Sequence, residues 1–422
     1  MTNWRRVLVV VIATVVAWAI ALNTGRRLAY QMAYVLTALL WAAFLTAWTG
    51  VRGLALTRVT PIRRSQVGHI VEEHLAVRNR WWVPKLWVEV HDFSTLPGHR
   101  VSHVVPSLPR HRPYRWHVRT LALRRGVFRL GPMLLRSTDP FGLFAFQRSI
   151  PYQTSIVVYP YIAALPHFPL PEGRLPGGGT AYRRTHQVTT NVSGVRDYQP
   201  GDALNRIHWP TTARTRRLMS KEFELDPLAD VWLVLDMHRD VYAGKRYEED
   251  EVVPVLALER QEILLPPHGA EYAIAAAATL GNYMLRQERA VGFISHAQRR
   301  WVLPADRGER QRDRLLELLA LVEPYGHIPL DHLLLMELRL FGRHTTLIVI
   351  TGDWTARWVP PLVELRRRGV LPIVVLIDGS TFASLPSPDA ALVNLARQNI
   401  LTYVLGRDTP LTQGLTHPVV KV

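Results

Sequence analysis

The sequence predicts a multidomain protein: an N-terminal two-helix membrane hairpin, a β-sandwich-like middle domain, and a C-terminal α/β domain with a parallel, doubly wound sheet. Three observations carry this. Two long uncharged runs lie near the N-terminus, short alternating segments broken by Pro and Gly follow, and then apolar strands alternate with helical patterns. The 422 residues are too many for one ordinary domain, and 48% of them are hydrophobic, enough for more than one core. The absence of cysteine removes disulfide scaffolds, thiolate nucleophiles, zinc fingers and iron–sulfur clusters together. The expected divisions are residues 1–51, 52–165, a linker with a charged motif over 166–226, and 227–422.

Val7–Leu22 is sixteen residues without a charge, and Leu28–Val51 is twenty-four. A membrane span needs about 20 largely apolar residues. The second run clears this; the first reaches it when Asn23 and Thr24 join it and Arg5 and Arg6 snorkel at its start. Trp4, Trp41 and Trp48 suit the interfaces. The competing reading of the first run is a signal peptide, with Ala19-Ile20-Ala21 as its small-residue site. That site lies inside the apolar run, and a second span follows, so a hairpin fits better. Arg5, Arg6, Arg52, Arg58, Arg63 and Arg64 flank its outer ends against Arg26 and Arg27 in the loop. By the positive-inside rule this multi-pass protein of the cell membrane keeps its soluble domains in the cytoplasm.

The net charge of +17 belongs to the same half of the chain. Residues 1–226 hold 30 Lys and Arg against 11 Asp and Glu, whereas residues 227–422 hold 21 against 23. A basic half tethered beside a bilayer meets anionic lipid. The lipid bilayer is therefore the expected partner and nucleic acid is not, since no ribonucleoprotein, helix-turn-helix or finger pattern occurs.

In the middle region Lys85–His91 and Tyr114–Arg119 alternate apolar and polar residues, His74–Asn79 does so more weakly, and Ser155–Tyr159 is a short apolar run. Leu165–Gly179, with four prolines and a triple glycine, reads as a linker. Beyond it, Asp230–Asp236, Ala290–Ser295, Thr345–Asp353, Val370–Asp378 and Ile400–Leu405 read as strands. Glu271–Leu285, Arg310–Val322, Trp358–Arg368 and Ala390–Gln398 read as helices. Such alternation gives a parallel sheet with helices on both faces and ligands at the carboxyl ends of its strands, where Asp236 and Asp353 fall.

The densest cluster of charged and aromatic residues runs from Val192 to Leu218. Gln199-Pro200-Gly201 reads as a turn and Asp202 as the N-cap of a short helix starting at Ala203, with Leu204 and Ile207 facing the core and Pro210 ending it. Arg196, Arg206 and Arg214 are near enough to converge on Asp197, Asp202 or a carboxylate elsewhere. Trp209 would bury its ring while its N–H finds an acceptor. Three readings stay open: a buried polar latch, a docking surface for an acidic partner, and an anion or phosphate site.

Three stretches together resemble one family: Arg125–Pro132 with Asp139-Pro-Phe-Gly-Leu-Phe144 and Val157–Pro160; Gly194-Val-Arg-Asp-Tyr-Gln-Pro-Gly-Asp202 with Arg206-Ile-His-Trp209 and Ala213-Arg214; and the apolar strand ending in Asp236. They are similar to the bacterial "domain of unknown function 58" family across the whole chain. The resemblance implies a von Willebrand factor A-like C-terminal domain and the family motif Arg196, Tyr198, Gly201, Asp202, Arg206, Trp209 and Arg214. It implies no established activity. It does imply partners: a MoxR-type AAA+ ATPase and a transglutaminase-like membrane protein. Metal-binding A-type domains carry Asp-x-Ser-x-Ser after the first strand, and here those positions read Asp236-Met-His-Arg-Asp240, so both serines are gone. Asp236, Asp240 and Asp353 would still offer three carboxylates to Mg²⁺, with Arg239 competing as an internal counter-ion. The alternative is an A-type fold that binds partners without a cofactor.

Enzyme signatures are absent. Gly244-Lys245 lacks the upstream glycine of a phosphate-binding loop, and neither His-Glu-x-x-His nor Gly-x-Ser-x-Gly occurs. His327 and His332 read as an exposed helix start, and Glu248–Glu251 as a solvated loop. The expectation is a membrane-anchored, non-enzymatic adaptor or scaffold that works with a MoxR-type AAA+ ATPase in assembly or maturation of an envelope-associated complex. The runner-up is a Mg²⁺-dependent ligand-binding factor controlling envelope processing through Asp236, Asp240 and Asp353.

Overall fold

The computed structural model describes residues 4–169, 192–199, 207–223, 230–244, 265–343, 345–407 and 409–420. Residues 170–179 of the linker, the acidic run 248–251 and the motif residues Gly201, Asp202, Leu204 and Arg206 lie outside them. The chain is multidomain, with one compact unit built on the residues up to Tyr161 and another on most of those from Ile162 onward.

The first unit opens with α1 (Trp4–Thr24) and α2 (Arg27–Gly50), two helices long and apolar enough to cross a membrane. Gly25, at φ +64°, lets the chain reverse between them because only a residue without Cβ adopts that left-handed turn freely. Trp18 donates from Nε1 to Thr37 Oγ1 (3.1 Å) and meets Tyr34 edge-on, so the two helices are tied by a polar contact as well as by packing. Strands follow at once: β1 (Leu54–Val59), β2 (Arg64–Gln66), β3 (Ile70–Asn79), β4 (Lys85–Asp92), β5 (His103–Leu108), β6 (Tyr114–Leu121), β7 (Gly126–Leu130), β8 (Met133–Thr138), β9 (Ala145–Ile150) and β10 (Thr154–Tyr159). They form three sheets, ordered β1-β3-β6, β2-β10-β7 and β5-β4-β8-β9. Alternation in β3 buries Leu75 and Val77, which share a core with Val88, Val90 and Leu135 of the four-stranded sheet.

Polar groups are buried with them. Arg58 donates through Nε and Nη2 to the Glu73 carboxylate (3.0 and 2.6 Å) and through Nη1 to Asp92 Oδ1 (2.9 Å). Thr60 Oγ1 donates to Glu73 Oε1 (2.7 Å), and the His99 ring lies between Glu73 Oε2 (2.9 Å) and Thr120 Oγ1 (2.7 Å). Arg58 is thus committed to an internal network, with a side chain 1% exposed, and does not face lipid as the flanking-charge pattern implied.

The elements that follow in the chain are β11 (Val192–Asp197), α3 (Trp209–Thr215), β12 (Met219–Phe223), β13 (Val231–Leu235), α4 (Gly269–Arg286), β14 (Val291–His296), β15 (Arg300–Asp306), α5 (Glu309–Leu321), α6 (Leu330–Met336), β16 (Thr346–Thr351), α7 (Val359–Arg367), β17 (Leu371–Ile377), α8 (Asp389–Arg397), β18 (Leu401–Leu405) and α9 (Leu411–Thr416). Six strands form a mostly parallel sheet ordered β15-β14-β13-β16-β17-β18, with β15 the antiparallel edge. β13, β14 and β16 are buried at every position, which explains their continuous apolar sequence. On one face Trp232 and Val234 pack with Leu333, Leu362 and Leu395 of α6, α7 and α8. On the other, Leu233 meets α4 so closely that a methyl on Gly281 would lie 3.1 Å from it. The strand order reverses between β13 and β16, and the carboxyl ends of those two strands bear the acids of interest.

Candidate functional site

Asp236 follows β13 directly. Its N–H still extends the sheet by donating to Ile350 O (2.9 Å), which turns its carboxylate inward at 1% exposure. Oδ2 accepts from Thr351 Oγ1 (2.7 Å) and Oδ1 from the His238 N–H (3.0 Å). Thr351 Oγ1 in turn accepts from the Asp353 N–H (2.9 Å), so one hydroxyl links the two strand-end acids. Asp353 accepts from the Thr355 N–H (2.8 Å), and its carbonyl takes the indole N–H of the fully buried Trp358 (3.1 Å). Tyr242 closes the floor by donating its hydroxyl to Asp236 O (2.7 Å). Gly352 suits the tight space there, since a methyl on it would stand 3.0 Å from the Tyr242 ring and 3.1 Å from Val241 O.

Burial pushes the Asp236 carboxyl up to about 6; the Thr351 and His238 hydrogen bonds pull against this, and the negative charge of Asp353 adds to it. Burial and the Asp236 charge likewise raise the Tyr242 phenol well above its ordinary value. The site is therefore a buried carboxylate on which the Asp353 charge and the His238 ring act in opposite directions, poised to exchange a proton near pH 6.

Of the three proposed metal carboxylates, Asp236 and Asp353 are brought together through Thr351, whereas Asp240 is 70% exposed and lies beside Arg239 (3.7 Å). No group of three or more His, Asp or Glu side chains that could hold a metal occurs among the described residues. Thr351 holds the Asp236 carboxylate but only the backbone N–H of Asp353, so among the described residues the three carboxylates do not converge.

The charged motif takes a form the sequence did not announce. β11 and β12 pair antiparallel, with Asp197 opposite Met219, and Tyr198 N donates to Leu218 O (2.9 Å). Ile207 is buried, as expected, and bridges to Ser220. Two expectations are overturned. Pro210 does not end a helix but sits in the first turn of α3, where a missing N–H costs nothing; His208 caps it by accepting from the Thr211 N–H (3.3 Å). Trp209 does not bury its ring: it is 64% exposed, and no residue of α3 is buried. Arg214 is exposed on the same short helix, and Arg216 ends it in a left-handed conformation at φ +56°. Arg196 lies on β11 opposite Ser220.

Two features escaped the sequence reading. Thr351 is the hinge of the acid pair, and its signal was its place between the last apolar residue of β16 and Asp353. The antiparallel edge β15 was also missed; the alternation of Trp301 and Leu303, both buried, marked it. Beside that edge Glu337 accepts from Arg300 (2.7 and 2.8 Å) and contacts His296 (2.9 Å), with Arg300 first among the causes that hold its carboxyl below the usual range. His327 and His332 are both exposed around the start of α6.

Residues 194–259 match the model of a family described as protein of unknown function DUF58. The chain is 22% identical over 233 residues to the uncharacterized protein YeaD of Bacillus subtilis strain 168, a match covering 55% of this chain and 52% of that protein. It thus spans about half the length of this curated relative. Among solved structures, the proximal thread matrix protein 1 of the mussel byssus is 11% identical over 44% of this chain and 45% of that one, with a TM-score of 0.28. A CARDB domain from Pyrococcus furiosus is 12% identical over 25% and 86%, with a TM-score of 0.20. Scores this low carry no argument about fold. The family model, which covers most of the charged motif and the strand ending in Asp236, and the Bacillus subtilis relative support the DUF58 family.

Proposed function

We propose that the chain is a membrane-anchored, non-enzymatic adaptor or scaffold whose charged motif is a docking surface for an acidic partner. The observation that carries this reading is Trp209. A latch would bury the indole, but the ring stands 64% exposed on a short helix that also leaves Arg214 exposed, capped by His208 and followed by β12, which pairs with β11. Exposed Trp and Arg side chains on a fixed support are what protein interfaces favour at their centres. The resemblance supplies the partner: a MoxR-type AAA+ ATPase, with a transglutaminase-like membrane protein in the same assembly. The C-terminal sheet, with its order reversal at β13 and β16 and acids at both strand ends, supports the von Willebrand factor A-like reading. The arginines outside the hairpin support a cytoplasmic placement.

The test is affinity purification of the full-length protein from gently solubilised native membranes beside Trp209→Ala. The adaptor reading expects an ATPase with the wild type and its loss from a variant that melts normally. Equal recovery from both removes the motif as the docking surface. The Mg²⁺-dependent reading needs Asp240 to swing toward Asp236 and Asp353. Saturable calorimetric heat with Mg²⁺, abolished in Asp353→Asn, would select it instead.

A further inference from the structure

The Asp139-Pro-Phe-Gly-Leu-Phe144 stretch has no part in the docking reading, yet it is the most deliberately built turn of the first unit. Gly142 N donates to Asp139 O (3.1 Å), with Gly142 at φ +67°. The Asp139 carboxylate accepts from Phe141 N (2.9 Å) and Phe144 N (2.6 Å) and is only 3% exposed, so its charge is satisfied inside the turn. What the turn presents outward is the ring of Phe141, 55% exposed.

Its position gives that ring a purpose. Phe44 of α2 packs edge-on against Phe144 and Phe146, with centroids 5.6 and 5.7 Å apart. A methyl on Gly142 would lie 3.6 Å from Arg6 Nη1. Phe141 lines an open groove of about 540 Å³ with apolar residues of both helices, among them Val9 and Leu39; its charged members are Arg5 and Arg6. No Asp or Glu precedes Glu72 in the chain, so these two guanidiniums have no acid near them in sequence.

The hairpin's length points to the same level. From Leu28 to Phe44 the helix covers about 26 Å at ~1.5 Å per residue, close to the ~30 Å of a hydrocarbon core. Past Phe44, α2 belongs to the strands: Gly50 abuts Ser137, and the buried Lys85 donates from Nζ to Thr49 O (2.6 Å). The apolar part of the hairpin thus ends where the turn begins.

We propose that the Asp139–Phe144 turn is a membrane-interface anchor that, with Arg5 and Arg6, seats one anionic phospholipid of the bilayer that the hairpin spans. The acyl chain lies against Val9 and Leu39, the phosphate meets the guanidiniums, and Phe141 enters at the level of the glycerol backbone. This rests on the membrane-anchoring reading, and the experiment separates the two.

The chain has no cysteine, so Phe141→Cys and, at mid-span, Val16→Cys each offer a single site for a nitroxide spin label. The full-length protein is placed in phosphatidylcholine vesicles and in phosphatidylcholine–phosphatidylglycerol vesicles, and each label's access to oxygen and to a water-soluble relaxant is measured. The expected result is a fully immersed label at 16, and a label at 141 shielded from the aqueous relaxant and more so with phosphatidylglycerol. Arg5→Gln with Arg6→Gln abolishes that gain. A water-exposed label at 16 overturns the membrane reading and the anchor with it. An immersed label at 16 with a fully aqueous label at 141 overturns the anchor alone. Immersion at 141 that ignores phosphatidylglycerol or both arginine substitutions overturns the anionic seat.

Discussion

Two buried carboxylates, one in each unit, have opposite fates. At Glu73 burial works to raise the pKa, but hydrogen bonds from His99, Arg58 and Thr60 and the charge of Arg58 outweigh it, and the group is held at about 2. At Asp236 burial is just as complete and is the largest cause, the donors are one hydroxyl and one backbone N–H, and the charge of Asp353 offsets the help from His238, so the group rises to about 6. Glu73 is a closed network that keeps its charge under all ordinary conditions. Asp236 is an open one that holds its charge at a cost. Closed networks position chains; open ones, at the carboxyl edge of a parallel sheet, are where protons and ligands are handled.

The largest expected effect comes from opening the closed site. Glu73→Ala leaves the Arg58 guanidinium buried without its main partner and should destabilise the fold by about 3–5 kcal/mol, read by denaturant titration. A loss below about 1 kcal/mol would mean that Asp92 and Ser94 suffice for Arg58.

Relieving the open site should do the reverse, with a pH signature. The native Asp236 pKa lies above the unfolded value of about 4. Its ionisation therefore costs about 3 kcal/mol above pH ~6, and the cost fades as pH falls toward 4. Asp236→Asn should accordingly be more stable than wild type at pH 8 and gain nothing near pH 4. The Glu73 contribution runs oppositely: it is fully present above pH ~4.5 and is lost as pH falls toward 2. A stability difference for Asp236→Asn that does not vary with pH would break the comparison.

Finer substitutions sharpen it. Thr351→Val removes one of the two donors on Asp236 and strands the Asp353 N–H, for a loss of about 1.5–3 kcal/mol in thermal melts at neutral pH. Thr60→Val removes one donor of several from Glu73 and should cost about 1 kcal/mol or less. Equal losses would imply that donor number does not govern the two sites. Smallest of all, Trp209→Ala should change stability by no more than about 0.5 kcal/mol, because the ring it removes is exposed.

Much of the architecture was legible. Local apolar pattern marked both helices of the hairpin, and continuous apolar runs marked β13, β14, β16, β17 and β18, because a strand buried on both faces needs no polar positions. The acids ending β13 and β16 stood out for the same reason, and the sheet brings them to its order reversal. What stayed hidden depended on residues distant in sequence. Pro210 reads equally as a stop or as a first-turn residue, and only the placement of α3 between the paired strands β11 and β12 decides between them. Arg58 counts as a flanking cation until folding brings Glu73 and Asp92 to it.

The sequence by itself determined which segments are apolar enough to span a bilayer, which strands are buried, and that Asp236 and Asp353 end two of them, since each follows from composition and period along a single stretch of chain. Only the tertiary structure decided that Thr351 joins those acids while Asp240 turns to solvent, that Trp209 stays exposed, and that the last turns of α2 pack on strands. Burial and charge compensation are properties of neighbours in space, and residues such as Phe44 and Phe144, or Arg58 and Glu73, become neighbours only when the chain is folded.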